Sequence, residues 1–129
     1  MNIGPPSILV VDDDDDVRNM ICVVLSAEGY STEGAVDGVD ALQRLHNGEP
    51  PALIIVDLMM PRMDGDTLIR TLSAETPLAQ IPVAIISGQV MPDAPAPGPQ
   101  VIRSLKKPIE LGDLLELVYQ VAGEPADRR

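Results

Sequence analysis

The sequence predicts a doubly wound α/β fold on a five-stranded parallel sheet, and three observations carry that prediction. Short aliphatic runs alternate with amphipathic, helix-spaced runs about five times along the chain, the pattern of a parallel sheet with helices on both faces. Two of the aliphatic runs, Ser7 to Val11 and Ala52 to Val56, stop abruptly at the aspartates Asp12 and Asp57. The chain has 129 residues, which at ~150 residues per domain is a single domain, large enough for a core without disulfide or metal staples.

Each element can be justified in turn. Ser7 to Val11 (SILVV) reads as a strand buried on both faces, and the aspartates from Asp12 to Asp16 break it. Val17, Met20, Ile21, Val24 and Leu25 recur at helical spacing, with Gly29 placed as the stop. Ser31 to Ala35 is a weaker second strand. Val39, Leu42 and Leu45 then mark a short helix ending near Gly48, closed by Pro50 and Pro51. Ala52 to Val56 (ALIIV) is the third strand, and Leu68, Ile69 and Leu72 line a third helix whose start Asp64 and Gly65 mark. Pro82 to Ile86 is the fourth strand and leads into Ser87 and Gly88. Pro92, Pro95, Pro97 and Pro99 each remove a backbone donor and clash with a helical turn, so the helix of the fourth crossover is expected to be shortened or missing. Val101 to Leu105 is the fifth strand, and Leu111, Leu114, Leu115, Val118 and Ala122 mark a final amphipathic helix. The domain core is thus placed at about residues 7–122, with 123–129 as a tail or linker stump.

Composition excludes several classes of function. A net charge of −11 repels phosphate backbones and anionic membranes and attracts cations and basic partners. With no Phe, no Trp and two Tyr, the chain offers few platforms for stacking bases. Direct nucleic-acid binding is therefore not expected, nor is membrane insertion, since no apolar run nears the ~20 residues of a spanning helix. The single Cys22 and an N-terminus without a basic start or apolar core fit a reducing cytoplasm.

In such sheets ligands bind beyond the carboxyl ends of the strands, which directs attention to Asp12, Asp13 and Asp14, Asp57, Ser87 and Lys107. This is a set of hard oxygen ligands, one hydroxyl and one ammonium, suited to a phosphoryl group with a divalent cation. Clustered carboxylates stay ionised cheaply only with a cation between them, and Mg2+ prefers carboxylate oxygens and water. A carboxylate so placed can attack phosphorus, while the hydroxyl and ammonium balance charge on the transferring oxygens. Asp57, alone at its strand end, is the natural nucleophile.

The segments ILVVDDDDDVR (Ile8 to Arg18), LIIVDLMMPRMDG (Leu53 to Gly65), PVAIISG (Pro82 to Gly88) and LKKP (Leu105 to Pro108) together resemble the receiver domain of bacterial two-component response regulators, over about residues 7–122. The resemblance implies the flavodoxin-like strand order 2-1-3-4-5. It implies Asp57 as phosphoacceptor, charged by a phosphohistidine on a histidine kinase or histidine phosphotransfer protein. It implies Mg2+ held by Asp12, Asp13, Asp57 and the backbone carbonyl of Met59, with Ser87 and Lys107 on the phosphoryl oxygens and a cis bond between Lys107 and Pro108. The implied chemistry is self-phosphorylation and self-dephosphorylation, not that of an enzyme with a separate substrate. A small-molecule phosphatase would want a general acid two residues after Asp57, where Met59 stands.

Other residues have simpler readings. Asp15 and Asp16 suit the positive end of a helix dipole, and Asp64 suits a helix cap. His46 reads as an exposed helix residue, and Cys22 as a packed or half-packed one. Where the family usually carries Tyr or Phe, three residues before the lysine, this chain has Ser104. The usual aromatic switch is absent, so an atypical output face is expected; the alternative is a non-switching docking module or a phosphoryl sink.

Overall fold

The strands form where aliphatic side chains alternate between two faces that must both be covered. The computed structural model describes residues 6–58, 65–75, 77–88 and 100–123. In chain order these give β1 (Ser7–Val11), α1 (Asp15–Ala27), β2 (Ser31–Ala35), α2 (Gly38–Asn47), β3 (Leu53–Asp57), α3 (Gly65–Ser73), a 3-10 turn (Leu78–Gln80), β4 (Val83–Ser87), β5 (Val101–Lys106) and α4 (Leu111–Ala122). All strand pairs are parallel and the order is β2-β1-β3-β4-β5, as the resemblance implied. The fourth crossover, with its expected shortened or missing helix, falls on residues 89–99 and lies outside the described residues.

The period-two alternation of the strands divides the core into two layers. Ile8, Val10, Leu53, Ile55, Ala84 and Ile86 pack on α1 and α4 through Ile21, Leu25, Leu114 and Val118. The intervening Leu9, Val11, Ile54, Val56, Val83 and Ile85 pack on α2 and α3 through Ala41, Leu45, Leu68, Ile69 and Leu72. β3 and β4 are buried along their whole length, which is why they read as unbroken aliphatic runs. At the edge, β5 keeps Ile102, Arg103 and Ser104 exposed. There Val83 pairs with Val101 and Ala84 with Arg103, so Ile102 is the extra residue of a bulge.

Polar side chains fix the helix ends. Asp14 caps α1, accepting from the backbone N–H of Asp16 at 2.9 Å and of Val17 at 3.2 Å. Gly29, at φ 104°, takes the left-handed turn after α1 that its position in the sequence predicts. Asp37 caps α2 by accepting from Asp40 N–H at 2.9 Å, and the Asp40 carboxylate reaches back to accept from Val36 N–H, just before the cap, at 3.0 Å. The Tyr30 hydroxyl donates to the Gly123 carbonyl at 2.7 Å and pins the end of α4 beside the turn between α1 and β2.

His46 is exposed, as read, and its Nε2 lies 2.8 Å from Glu75 Oε1, joining the end of α2 to the residues after α3. Cys22 is half-buried. Burial pushes its thiol above the ordinary value, outweighing the Thr32 hydrogen bond and the Arg18 charge, as befits a packed thiol rather than an activated one.

Candidate functional site

The carboxyl ends of β1, β3, β4 and β5 bring four of the sequence-identified residues to one spot and place a fifth beside it. Asp12 follows β1 directly and is fully buried, with its N–H donating to the Ala35 carbonyl at 3.1 Å. Its Oδ1 accepts from Asp14 N–H at 2.9 Å. Asp57 is the last residue of β3 and is 4% exposed, whereas Asp13 is exposed. One carboxylate oxygen from each of Asp12, Asp13 and Asp57 lies within 4.8 Å of the others, close enough for a single cation to touch all three.

Lys107 follows β5 and spans the cluster, with Nζ 3.2 Å from Asp12 Oδ2 and 3.3 Å from Asp57 Oδ2. Partial burial opposes its charge, yet Asp12 and then Asp57 outweigh that penalty and hold the ammonium above the ordinary lysine value. Lys107 N–H donates to the Ser87 carbonyl at 2.7 Å, which ties the end of β4 to the lysine. Ser87 is buried and stands one register step beyond Ile86, the partner of Asp57. The bond between Lys107 and Pro108 is cis.

The structure redraws the site in two places. Asp14, grouped with Asp12 and Asp13 from its position, turns its carboxylate to the α1 cap instead. Met59 and Asp64 lie outside the described residues. Arg18 is a residue that the sequence reading missed as part of the site: its Nη1 donates to the Asp12 carbonyl at 2.8 Å and its Nη2 pairs with the Asp15 carboxylate. Its three-residue offset from Asp15 signals the ion pair, but nothing in the sequence signals the carbonyl contact.

Gly65, the first residue of α3, is required by close approach. A Cβ there would stand 2.6 Å from the Asp57 carbonyl oxygen, 2.8 Å from Leu58 Cα and 2.9 Å from Val56 Cγ1. Its N–H donates to the Leu58 carbonyl at 3.0 Å, seating the helix against the end of β3. Gly65→Ala is expected to destabilise the chain by about 1–3 kcal/mol in urea denaturation, because backbone must move to make room.

The donor set fits a hard divalent cation. Among the described residues three carboxylates cluster beside the Lys107 ammonium, and Asp12 Oδ2, although buried and near Lys107, makes no well-directed hydrogen bond. A buried carboxylate oxygen in that state is a ready ligand for Mg2+, which binds carboxylate oxygens and keeps several waters.

Known proteins place this arrangement in a family. The response regulator receiver domain matches residues 8–119. The response regulator MprA of Mycobacterium sp. (strain KMS) is 50% identical over 68 residues, covering 53% of this chain and 29% of that protein. The DNA-binding dual master transcriptional regulator RpaA of Synechocystis sp. is 32% identical over 115 residues, covering 88% of this chain and 47% of that protein. The chain therefore spans less than half the length of these two curated relatives. Among solved structures, a response regulator receiver protein from Pseudomonas putida superposes with a TM-score of 0.83 at 32% identity, over 92% of this chain and 99% of that one. The match over residues 8–119, together with the strand order and the acidic cluster beside a lysine, shows that the chain belongs to the response regulator receiver domain family.

Proposed function

We propose that the chain accepts a phosphoryl group on Asp57 from a histidine kinase or histidine phosphotransfer protein, in a Mg2+-dependent reaction, and passes the change to a protein partner. The observation that carries this reading is the placement of Lys107 Nζ, 3.2 and 3.3 Å from the Asp12 and Asp57 carboxylates, beside a three-carboxylate cluster. That arrangement combines a nucleophilic oxygen, a cation site and a fixed positive charge.

An Asp57 oxygen attacks phosphorus, the P–N bond to the donor histidine breaks, and the imidazole keeps the bonding electron pair. Asp57 becomes an acyl phosphate. Asp12, Asp13 and Asp57, with the Met59 carbonyl as the family pattern has it, would hold Mg2+, whose charge when bound would offset that of the phosphoryl oxygens. Lys107 releases Asp57 and pairs with a phosphoryl oxygen, and the Ser87 hydroxyl donates to another. The −11 charge favours protein partners over nucleic acid.

Output is read as atypical. Ser104 is exposed on β5 and has no ring to turn inward when Ser87 moves, so a phosphoryl sink or docking module is the second reading. Autodephosphorylation rate separates them: a sink turns over fast, a switch holds its phosphoryl group for the lifetime of a partner complex. No helix among the described residues is long and apolar enough to cross a membrane, and the cytoplasm is the proposed location.

Intact mass after incubation with acetyl phosphate tests the reading. A single phosphoryl adduct that needs Mg2+ and disappears with EDTA supports it. An adduct indifferent to EDTA contradicts the cation's role. Absence of an adduct, together with failure to form a beryllofluoride complex, contradicts phosphoacceptor function altogether.

A further inference from the structure

Asp12 is gripped at its backbone from two sides, and the two grips have different origins. On the strand side its N–H bonds to the Ala35 carbonyl of β2 at 3.1 Å, a continuation of the parallel ladder. On the other side its carbonyl accepts from Arg18 Nη1 at 2.8 Å, a contact supplied by a side chain from the first turns of α1. The same guanidinium reaches Asp15 through Nη2, and the Arg18 side chain is only 14% exposed.

The arginine can lie there because of a residue in a different element. The Arg18 stem runs across Gly34 of β2, where a Cβ would stand 3.0 Å from its Cδ, 3.3 Å from its Nε and 3.4 Å from its Cγ. Gly34 is the register partner of Val10, and the next residue, Ala35, supplies the carbonyl that holds Asp12 N–H. The seat for the arginine and the anchor for Asp12 are thus neighbours on one strand. A planar fork can hold a carbonyl and a carboxylate at once, which a lysine ammonium cannot reproduce in the same geometry.

From these contacts we propose that Arg18, seated on Gly34, is a positioning residue for the cation site: it fixes the Asp12 peptide, and through it the Asp12 and Asp13 carboxylates. The inference rests on the reading of Asp12, Asp13 and Asp57 as cation ligands. Among the described residues Arg18 bonds to the Asp12 carbonyl and the Asp15 carboxylate and to no carboxylate oxygen of Asp12, Asp13 or Asp57; it acts through the main chain. Its charge alone would weaken cation binding, so a positioning role and a plain charge effect can be separated with variants that keep the charge.

The test is Mn2+ binding to the whole chain, followed by the electron paramagnetic resonance of free Mn2+, with Arg18→Lys and Gly34→Val. Both variants keep the net charge. The first loses the fork, and the second keeps the arginine but fills its seat. Loss of an outer-sphere contact of this kind weakens metal binding on the order of tenfold, and that loss is expected in both variants while each still unfolds cooperatively. Faster hydrogen exchange of Asp14 N–H, which bonds to Asp12 Oδ1, is expected in both without any metal. A purely structural role would lower the melting temperature and leave Mn2+ affinity at the wild-type value; that result in either folded variant overturns the inference. If one variant fails to fold, the other decides. A wild-type chain that binds no Mn2+ would instead refute the cation reading itself, and unchanged exchange of Asp14 in the variants would then refute the role of Arg18 as well.

Discussion

Asp57→Asn is expected to abolish the phosphoryl adduct completely while leaving the fold at least as stable as wild type in metal-free buffer. The amide keeps the shape of the side chain but is not a nucleophile, so labelling has no residual route through this position. Stability follows from the charges that surround Asp57. Its carboxylate is repelled by Asp12 and Asp13, with ligand oxygens within 4.8 Å, and attracted by Lys107 at 3.3 Å. Of these charges, neutralising it removes two repulsions within 4.8 Å against one attraction at 3.3 Å, and Lys107 retains its partner Asp12 at 3.2 Å. Loss of labelling in a variant whose urea midpoint equals or exceeds that of wild type separates chemistry from folding; a large fall in the midpoint would contradict this view of the cluster.

Lys107→Met is expected to have the opposite character. Methionine fills much of the space of the lysine stem but leaves the buried carboxylates of Asp12 and Asp57 without their cation. Breaking a buried pair from one side costs about 3 kcal/mol, because the remaining charge stays desolvated. The pH dependence has a definite sign. Lys107 is held above its ordinary value of 10.5, so its contribution is fully present below that value and is lost as pH rises through the higher folded value. The stability gap between wild type and variant should therefore be constant across the neutral range and close only in strongly alkaline buffer. Mg2+ should narrow the gap at neutral pH, since a cation at the carboxylates replaces part of what the ammonium supplied. Urea titrations with and without Mg2+ read both effects, and a variant as stable as wild type in metal-free buffer would show that the ion pairs contribute little.

Much of this arrangement was legible in the sequence, for reasons that differ by element. Ser31–Ala35 and Leu111–Ala122 match the expected spans, because a glycine turn and an amphipathic period bound them sharply. The third and fourth strands lie one residue later than their aliphatic runs, at Leu53–Asp57 and Val83–Ser87. Their ladders run on through Asp57, paired with Ile86, and through Ser87, paired with Lys106, because backbone pairing in a parallel sheet is indifferent to the first polar side chain at its end. That shift puts Asp57 and Ser87 on the sheet itself, held by the ladder rather than by a loop. The 3-10 turn at Leu78–Gln80 was not anticipated; a three-residue element has too few positions for any period to show.

What the sequence could not disclose were contacts between side chains and distant backbone. The Tyr30 hydroxyl meets the Gly123 carbonyl 93 residues away, and Arg18 meets the Asp12 carbonyl across a seat provided by Gly34. Asp14 shows the same limit in reverse. Proximity in sequence to Asp12 and Asp13 suggested a shared role, but an extended residue just before a helix satisfies that helix first. The requirement for glycine at position 65 likewise becomes visible only once the Asp57 carbonyl is seen against the start of α3.

The most direct measurement is the identity of the modified residue. An acyl phosphate is reduced by borohydride to an alcohol, which converts the phosphorylated aspartate to homoserine at that position alone. Wild-type chain phosphorylated with acetyl phosphate in Mg2+, reduced and read by tandem mass spectrometry, is predicted to carry homoserine at Asp57 and nowhere else. Homoserine at Asp12 or Asp13, or a phosphoryl adduct that yields none, would contradict the assignment of Asp57 as the acceptor.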